Sequence, residues 1–301
     1  MIAIVIPYFK ITFFKETLAS LANQSNKDFH VYIGDDNSPE DPYPLINLYK
    51  SKCNLQYKKF DTNLGSISLA KHWERCIEMT RDEEWIMLLG DDDVLSYNVI
   101  DQFYKQLNKS EIMTNVIRFA SSPIDANGKE TWKVFQHPEY ESSIDFFFRN
   151  RRSSLSEYVF NKNVLKEKGF HDFPIGWCSD ILAVLEVSNF STINSINNAV
   201  VYIRSSSMNI SNKKYKQREK AIAAKTFLLY LINNKSKKFT RSQRLKLIIE
   251  LETELGKDKS LSFKDWFKLF RLHLYNFQFL TFFKFSRRFF MHRWKLITIK
   301  W

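Results

Sequence analysis

The chain has 301 residues, 44% of them hydrophobic, with 45 Lys/Arg against 33 Asp/Glu for a net charge of +12. That is enough to bury one large core, or a domain with an appendage. Its three cysteines (Cys53, Cys76, Cys178) lie far apart without a CxxC, which argues against a disulfide framework or a zinc site and fits a reducing cytosol; no run approaches the roughly 18 apolar residues of a spanning helix.

The opening "MIAIVIPYFK" lacks the basic n-region of a secretion leader and reads as a strand over 2–6. Helical spacing of Phe14, Leu18, Leu21 and Ala22 follows over 13–24. Then come a strand (29–34), a helix near 42–51, a strand (55–60), a helix across 66–80 and the strand "WIMLL" (85–89). This rhythm predicts βαβ units and a mostly parallel sheet, in which ligands bind beyond the carboxyl ends of the strands. Past residue 110 the alternation fades. A hairpin is predicted from 115–119 and 132–135, helices over 142–150 and 179–188, and a strand over 199–204. From 212 the chain turns helical and basic, with "GKDKS" (256–260) as the best linker candidate.

Chemistry concentrates at two strand ends. Asp35–Asp36 follow one strand, and Asp91, Asp92 and Asp93 follow another in "WIMLLGDDDVL". Three adjacent carboxylates repel one another, and a divalent cation is the simplest remedy. Oxygen ligands of this kind suit Mg²⁺ or Mn²⁺ shared with substrate phosphates. The seven glycines give neither GxGxxG nor GxxxxGK[ST], which disfavours dinucleotide-binding and P-loop chemistry. A diphosphate would therefore be held by metal and basic side chains and would act as a leaving group.

The segments "IAIVIPYFK", "LASLANQSNKDFHVYIGDDNSPED", "NLGSISLAKHWERC" and "EEWIMLLGDDDVL" together resemble the nucleotide-binding half of the family 2, GT-A fold glycosyltransferases. The likeness is strong across 1–105 and looser to 211, through "IDANG", "KGFHDFPIGWCSD" and "VVYIRSSSMNIS". It implies an α/β GT-A catalytic domain over 1–211, with a nucleotide-sugar half (1–105) and an acceptor half (106–211), and a helical extension over 212–301. It also implies an inverting, metal-dependent transfer of one sugar from a nucleotide-diphosphate sugar, UDP-sugar foremost, to a glycan or lipid-linked acceptor of a bacterial-type surface polysaccharide. The QxxRW pattern of processive synthases is missing from the sequence.

Carried over residue by residue, the resemblance assigns Asp36 to the base and ribose, Pro7, Tyr8 and Phe9 to the base pocket, and Lys71 to the nucleotide. It assigns Asp91 to the ribose, Asp92 with Asp93 to the metal, Arg204 to the diphosphate, Trp177 to the sugar pocket and Asp180 to the catalytic base, with Asp172 in reserve. Each has an ordinary alternative: an Asx-turn for Asp36, core packing for Tyr8 or Phe9, a solvated lysine at 71, a strand-end arginine at 204 and a helix cap at Asp180. Many relatives have an aspartate where Gly90 stands, so a catalytically degenerate nucleotide-sugar-binding protein or membrane adaptor is the rival reading.

Residues 261–301 hold nine Lys/Arg against a single acid, Asp265. Lys264, Lys268 and Arg271 share a helical face; Lys284, Arg287 and Arg288 sit among Phe282, Phe283, Phe285, Phe289 and Phe290. A tail of this kind suits an anionic membrane surface, which would make the protein cytoplasmic and peripheral on the inner face of the plasma membrane. Packing or homodimerisation is the alternative. Nucleic acid is disfavoured because the acidic crevice repels a polyanion.

Overall fold

The computed structural model describes residues 1–109, 114–149, 153–206, 216–257 and 263–275, with scattered positions between 279 and 291. Strand and helix alternate through β1 (Ile2–Tyr8), α1 (Phe14–Ala22), β2 (Phe29–Asp35), α2 (Tyr43–Tyr49), β3 (Asn54–Lys59), α3 (Leu69–Ile77) and β4 (Trp85–Leu88). Next come β5 (Val94–Leu95), α4 (Val99–Leu107), β6 (Val116–Ile124), β7 (Tyr140–Ser142), α5 (Ser143–Arg149), β8 (Tyr158–Asn161), α6 (Lys162–Lys168), α7 (Ser179–Val187) and β9 (Thr192–Arg204). Among the described residues these strands form one sheet in the order β3-β2-β1-β4-β8-β6-β9-β5, with β7 also paired to β9.

Strand direction decides where chemistry can sit. β3, β2, β1 and β4 are mutually parallel. β8 is antiparallel to both β4 and β6, and β9 is parallel to β6, so β6 and β9 again run with β4. The carboxyl ends of β1, β2, β4, β6 and β9 therefore share one edge with the start of β8. That edge is where a parallel α/β sheet receives its ligands.

Period-two alternation explains the burial. Ile2, Ile4, Ile6 and Tyr8 of β1 face Leu18 and Leu21 of α1 and Phe103 of α4. Ala3 and Val5 face the opposite layer, with Ala70 and Cys76 of α3 and Ala183 and Val184 of α7. α3 starts later than its apolar spacing suggests because Ser68 caps it, its hydroxyl accepting from the Lys71 amide at 3.1 Å. Two further departures from expectation occur in the second half. The 132–135 strand is reduced to a single bridge, Ser121 to Phe135, and β9 extends back to residue 192 through polar but buried Asn194 and Ser195.

At the opposite end of the sheet, Glu83 is fully buried before β4. It accepts from the Tyr32 hydroxyl (2.7 Å) and the Arg81 amide (2.9 Å) and pairs with His30 Nδ1 at 2.5 Å. Burial opposes its charge, but the hydrogen bonds from Tyr32 and His30 outweigh that and pull its pKa down to about 2. A depressed carboxyl pKa adds stability that is fully present above the unfolded value of 4.5 and is lost as pH falls towards 2. Glu83→Gln is accordingly expected to lower the melting temperature at pH 7, by a loss of about 1–3 kcal/mol. The difference from wild type should shrink on acidification to pH 2, checked by thermal melts at both pH values.

The chain divides into two compact units, Met1–Lys214 and Tyr215–Trp301. In the second, α8 (Gln217–Asn234) and α9 (Arg241–Lys257) bury Phe227, Leu228 and Leu231 together with Leu247, Ile248 and Leu251. α10 (Phe263–Tyr275) is tied to α9 by His273 Nε2, 2.6 Å from Glu252 Oε1. α9 runs into the first two residues of the expected linker; the rest of it lies outside the described residues. Trp266 stacks on Phe270 at 5.7 Å and meets Phe282 at 5.5 Å, so part of the tail's aromatic content packs on itself. Phe267, Phe283, Arg271, Lys284 and Arg287 are exposed. The side chains of Lys264, Lys268, Phe285, Arg288 and Phe289 lie outside the described residues. No helix among the described residues is long and apolar enough to cross a membrane.

Candidate active site

The aspartate turn after β4 divides its three carboxylates among different tasks. Asp91 Oδ2 accepts from the Phe9 and Lys10 amides, both at 2.8 Å, and so ties the β1–α1 loop to the turn. Burial and the neighbouring Asp92 charge push Asp91 up to about 7 against those two bonds. Asp93, only 5% exposed, accepts from the Ser156 hydroxyl at 2.5 Å on Oδ2 and from the Arg204 amide at 2.9 Å on Oδ1. Its pKa is also raised, first by burial and then by Asp92. Asp92 is partly exposed, and its backbone carbonyl accepts from Arg204 Nε at 2.9 Å.

Gly90 is closely covered by the carboxylates of Asp92 and Asp93. A Cβ there would lie 2.9 Å from Asp93 Oδ2 and 3.0 Å from Asp92 Oδ1. A side chain at Gly90 would require the ends of these two carboxylates to shift. The Gly90 amide donates to Ser156 Oγ at 3.0 Å, so the Ser156 hydroxyl is held from both sides.

Two of the residues expected to meet donor or metal are engaged inside the protein. Asp93 has both carboxylate oxygens bonded to protein donors. Arg204 is 2% exposed, and its guanidinium faces inward: Nη1 donates to the carbonyls of Asp125 (3.0 Å) and Ala126 (3.2 Å), and Nη2 pairs with Glu16. Its guanidinium carbon also lies 4.4 Å from the Phe13 ring centroid. In this structure Arg204 braces the turn after β6, α1 and the aspartate turn.

The second acidic cluster is equally ordered. Asn37 takes a positive φ of 54°, which explains why a "DD-[GN]-S" turn takes Gly or Asn at that point. Asp35 accepts from Ser38 N at 2.7 Å and Tyr57 Oη at 2.6 Å. Asp36, 3% exposed, accepts from the Leu64 amide (2.9 Å) and the Gly65 amide (2.9 Å on Oδ2), and pairs with Arg75. A Cβ on Gly65 would lie 2.5 Å from Asp36 Oδ2, so the glycine of "N-x-G" is what lets this loop close on the carboxylate. Arg75 stacks over Phe60 with its guanidinium carbon 4.0 Å from the ring centroid. His72, buried beside this pair, has its pKa lowered to about 3 by burial and then by Arg75, so the imidazole is neutral at pH 7.

The aromatic expectations divide. Tyr8 is fully buried: it packs on Phe14 at 4.7 Å and donates to the Glu40 carbonyl at 3.2 Å. It shares the β1 face of Ile2, Ile4 and Ile6, the core packing that is the ordinary alternative for it. Pro7 and Phe9 are partly exposed at the carboxyl edge, and Pro7 lies beyond the β1–β4 pairing, where it breaks no ladder bond on that side. Lys71 is exposed in the first turn of α3.

Asp180 sits in the first turn of α7 after a strained approach. Ile175, Gly176 and Cys178 take φ values of 55°, 67° and 70°, a conformation that is rare for a β-branched residue. Gly176 lies under Trp73, where a Cβ would be 2.9 Å from the indole. Ser179 Oγ donates to the His171 carbonyl at 2.6 Å, and Ser68 Oγ to Asp172 Oδ1 at 2.6 Å. The reserve acid Asp172 thereby ties the cap of α3 to the 171–180 loop. Trp177 is 36% exposed beside Asp180's turn. Burial raises the pKa of Asp180, partly offset by hydrogen bonds from the Ile181 amide, the Ser153 side chain and its own amide. Ser153 Oγ also lies 3.0 Å from Tyr158 Oη, within hydrogen-bond distance. Residues 153–158 thus touch both Asp180 and, through Ser156, the aspartate turn. Ser156, Arg75 and Glu16 were not singled out by sequence; nothing marks them except their position in space.

Among the described residues no three His, Cys, Asp or Glu side chains converge as a metal cage. Asp92 is a single, partly exposed carboxylate, and divalent cations in such sites take one or two carboxylates plus substrate phosphates.

A mostly parallel sheet flanked by helices, with two acidic turns on its carboxyl edge, is the GT-A glycosyltransferase fold. The chain belongs to glycosyl transferase family 2, whose model matches residues 3–162, and it is a glycosyltransferase. No curated protein matches the sequence. Among solved structures, S. aureus TarS 1-349 has a TM-score of 0.60 at 16% identity over 79% of this chain and 68% of that one. TarS 1-349 in complex with UDP-GlcNAc gives 0.59 at 15% over 89% and 75%. The complex with UDP gives 0.51 at 16% over 84% and 80%. At these identities the likeness is one of fold.

Proposed function

We propose that the protein transfers one sugar, with inversion, from a UDP-sugar to a hydroxyl of a glycan or lipid-linked acceptor in bacterial-type surface polysaccharide synthesis. The observation that carries this reading is the arrangement of one sheet edge. A partly exposed carboxylate, Asp92, lies on a rigidly held turn, and a second carboxylate of raised pKa, Asp180, shares a bracing segment with that turn. Family membership supports transfer of a nucleotide-activated sugar, and the fold neighbour TarS has been crystallised with UDP-GlcNAc and with UDP.

In this reading Asp36 and Arg75 fix the 62–65 loop that borders the nucleotide, with Pro7 and Phe9 beside it. Asp92 would hold Mn²⁺ or Mg²⁺, which when bound neutralises charge on the departing diphosphate. Asp180 takes the proton of the acceptor hydroxyl as its oxygen bonds to the anomeric carbon and the bond from that carbon to the diphosphate oxygen breaks. The nucleoside diphosphate leaves on the opposite face. Raised basicity suits Asp180 to that task, and Trp177 stands where a sugar face could stack.

The rival reading, a decayed enzyme, drew on Gly90. The glycine leaves room for the ends of the Asp92 and Asp93 carboxylates, which gives it a use in the turn. Titration calorimetry of UDP and UDP-sugars with and without Mn²⁺ tests the proposal: metal-dependent binding is expected, and no nucleotide binding under either condition would refute it. The basic, aromatic residues 262–301 we assign to an anionic membrane surface, on the exposure of Phe267, Phe283, Arg271, Lys284 and Arg287. Co-sedimentation with phosphatidylglycerol vesicles but not with neutral ones is expected; equal recovery with both would count against it.

A further inference from the structure

Both oxygens of Asp93 are engaged inside the protein, and the groups that engage them come from distant parts of the chain. Ser156 precedes β8, and its hydroxyl donates to Asp93 Oδ2 while accepting from the Gly90 amide. Arg204 ends β9; its amide donates to Asp93 Oδ1, and its Nε donates to the Asp92 carbonyl. The Arg204 guanidinium is in turn anchored on Glu16 of α1 and on the turn after β6. The residue next to Asp92 is therefore clamped from two sides, and its own carbonyl from a third. All three contacts restrict the backbone of residues 90–93.

We propose that Asp93 is a positioning residue rather than a metal ligand, and that Asp93, Ser156 and Arg204 form a bracket that aims the Asp92 carboxylate at the cation of the donor complex. This rests on the metal-dependent reading above. Ser156 is 3% exposed, so its hydroxyl cannot be replaced by solvent without opening the turn. Its loss would leave an oxygen of Asp93 and the Gly90 amide without their partner.

The test is Mn²⁺ binding to the full chain at saturating UDP, followed by electron paramagnetic resonance of free Mn²⁺, with melting temperatures measured in parallel. An asparagine at 93 can still accept from the Arg204 amide on its oxygen and donate to Ser156 Oγ through its nitrogen. Asp93→Asn is therefore expected to bind Mn²⁺ within about threefold of wild type, whereas Asp92→Asn, which loses a ligand, weakens binding by well over tenfold. Ser156→Ala, with Asp92 intact, is expected to weaken Mn²⁺ binding by about tenfold, the scale of outer-shell partners. A purely structural Ser156 would lower the melting temperature and leave the Mn²⁺ affinity of the folded protein unchanged. Asp93→Asn as damaging as Asp92→Asn would overturn the proposal by making Asp93 a ligand. Wild-type affinity in Ser156→Ala would overturn it by removing the bracket. Failure of the metal reading itself shows in a different arm, as wild type that binds no Mn²⁺ with UDP present.

Discussion

Asp180→Asn is expected to lower the turnover number by about a thousandfold, within the range that general-base catalysis supplies, while the donor affinity stays within about twofold. Asparagine keeps the shape of the side chain and can accept the hydrogen bonds from Ser153 and the helix amides, but it cannot take a proton. Stability should not fall. Burial raises the Asp180 pKa in the folded protein, so the charged form is disfavoured there, and a neutral amide removes that penalty at neutral pH. The melting temperature at pH 7 is thus expected to be equal to wild type or higher. The same shift sets the pH profile. In the proposed mechanism Asp180 acts as the anion, so activity is expected to be lost as pH falls through its raised pKa, with the acid limb of kcat/KM above the ordinary aspartate range. A structural role would produce the opposite pattern: turnover preserved per folded molecule and a lowered melting temperature.

Asp92→Ala is expected to cost at least about a hundredfold in kcat/KM, or about 2.7 kcal/mol of transition-state stabilisation, and to abolish the dependence of UDP affinity on Mn²⁺. The turn should survive, because the Arg204 contact is made to the Asp92 backbone and not to its side chain. Removing the Asp92 charge also relieves its repulsion of Asp91 and Asp93, a contributor to the raised pKa of both. Their values should fall towards the normal range, and the melting temperature at pH 7 should hold or rise. Thermal melts and metal-dependent UDP titrations separate this from unfolding. A variant that binds UDP with unchanged metal dependence would remove Asp92 from the site.

The first half of the sheet was readable because β1, β2 and β4 are short apolar runs bounded by acidic or polar turns, and α1 and α3 between them carry apolar residues at helical spacing. The second half was harder for identifiable reasons. β9 opens with "TINSINN", whose polar residues look like a loop, yet Asn194 and Ser195 are buried where the strand pairs with β6 and β7. β8 is four residues long and is held by two neighbours rather than by its own pattern. In the site, the acids announce themselves by clustering, but their supports do not. Ser156 and Arg75 are common residues far from the acids in sequence, and no spacing rule joins them. Tyr8 was placed in the pocket by its neighbour Pro7, when its parity along β1 already put it in the core. Gly90 read as a missing carboxylate because its real constraint, the fold-back of Asp92 and Asp93 over it, exists only in three dimensions.

The most direct test of the account is release of nucleoside diphosphate from a panel of UDP- and GDP-sugars, with and without Mn²⁺, comparing wild type with Asp180→Asn. The account predicts Mn²⁺-dependent release from one UDP-sugar by wild type and almost none by the variant, with donor binding retained in both. Equal release by the two proteins would show that Asp180 is not the base and would contradict the mechanism at its centre.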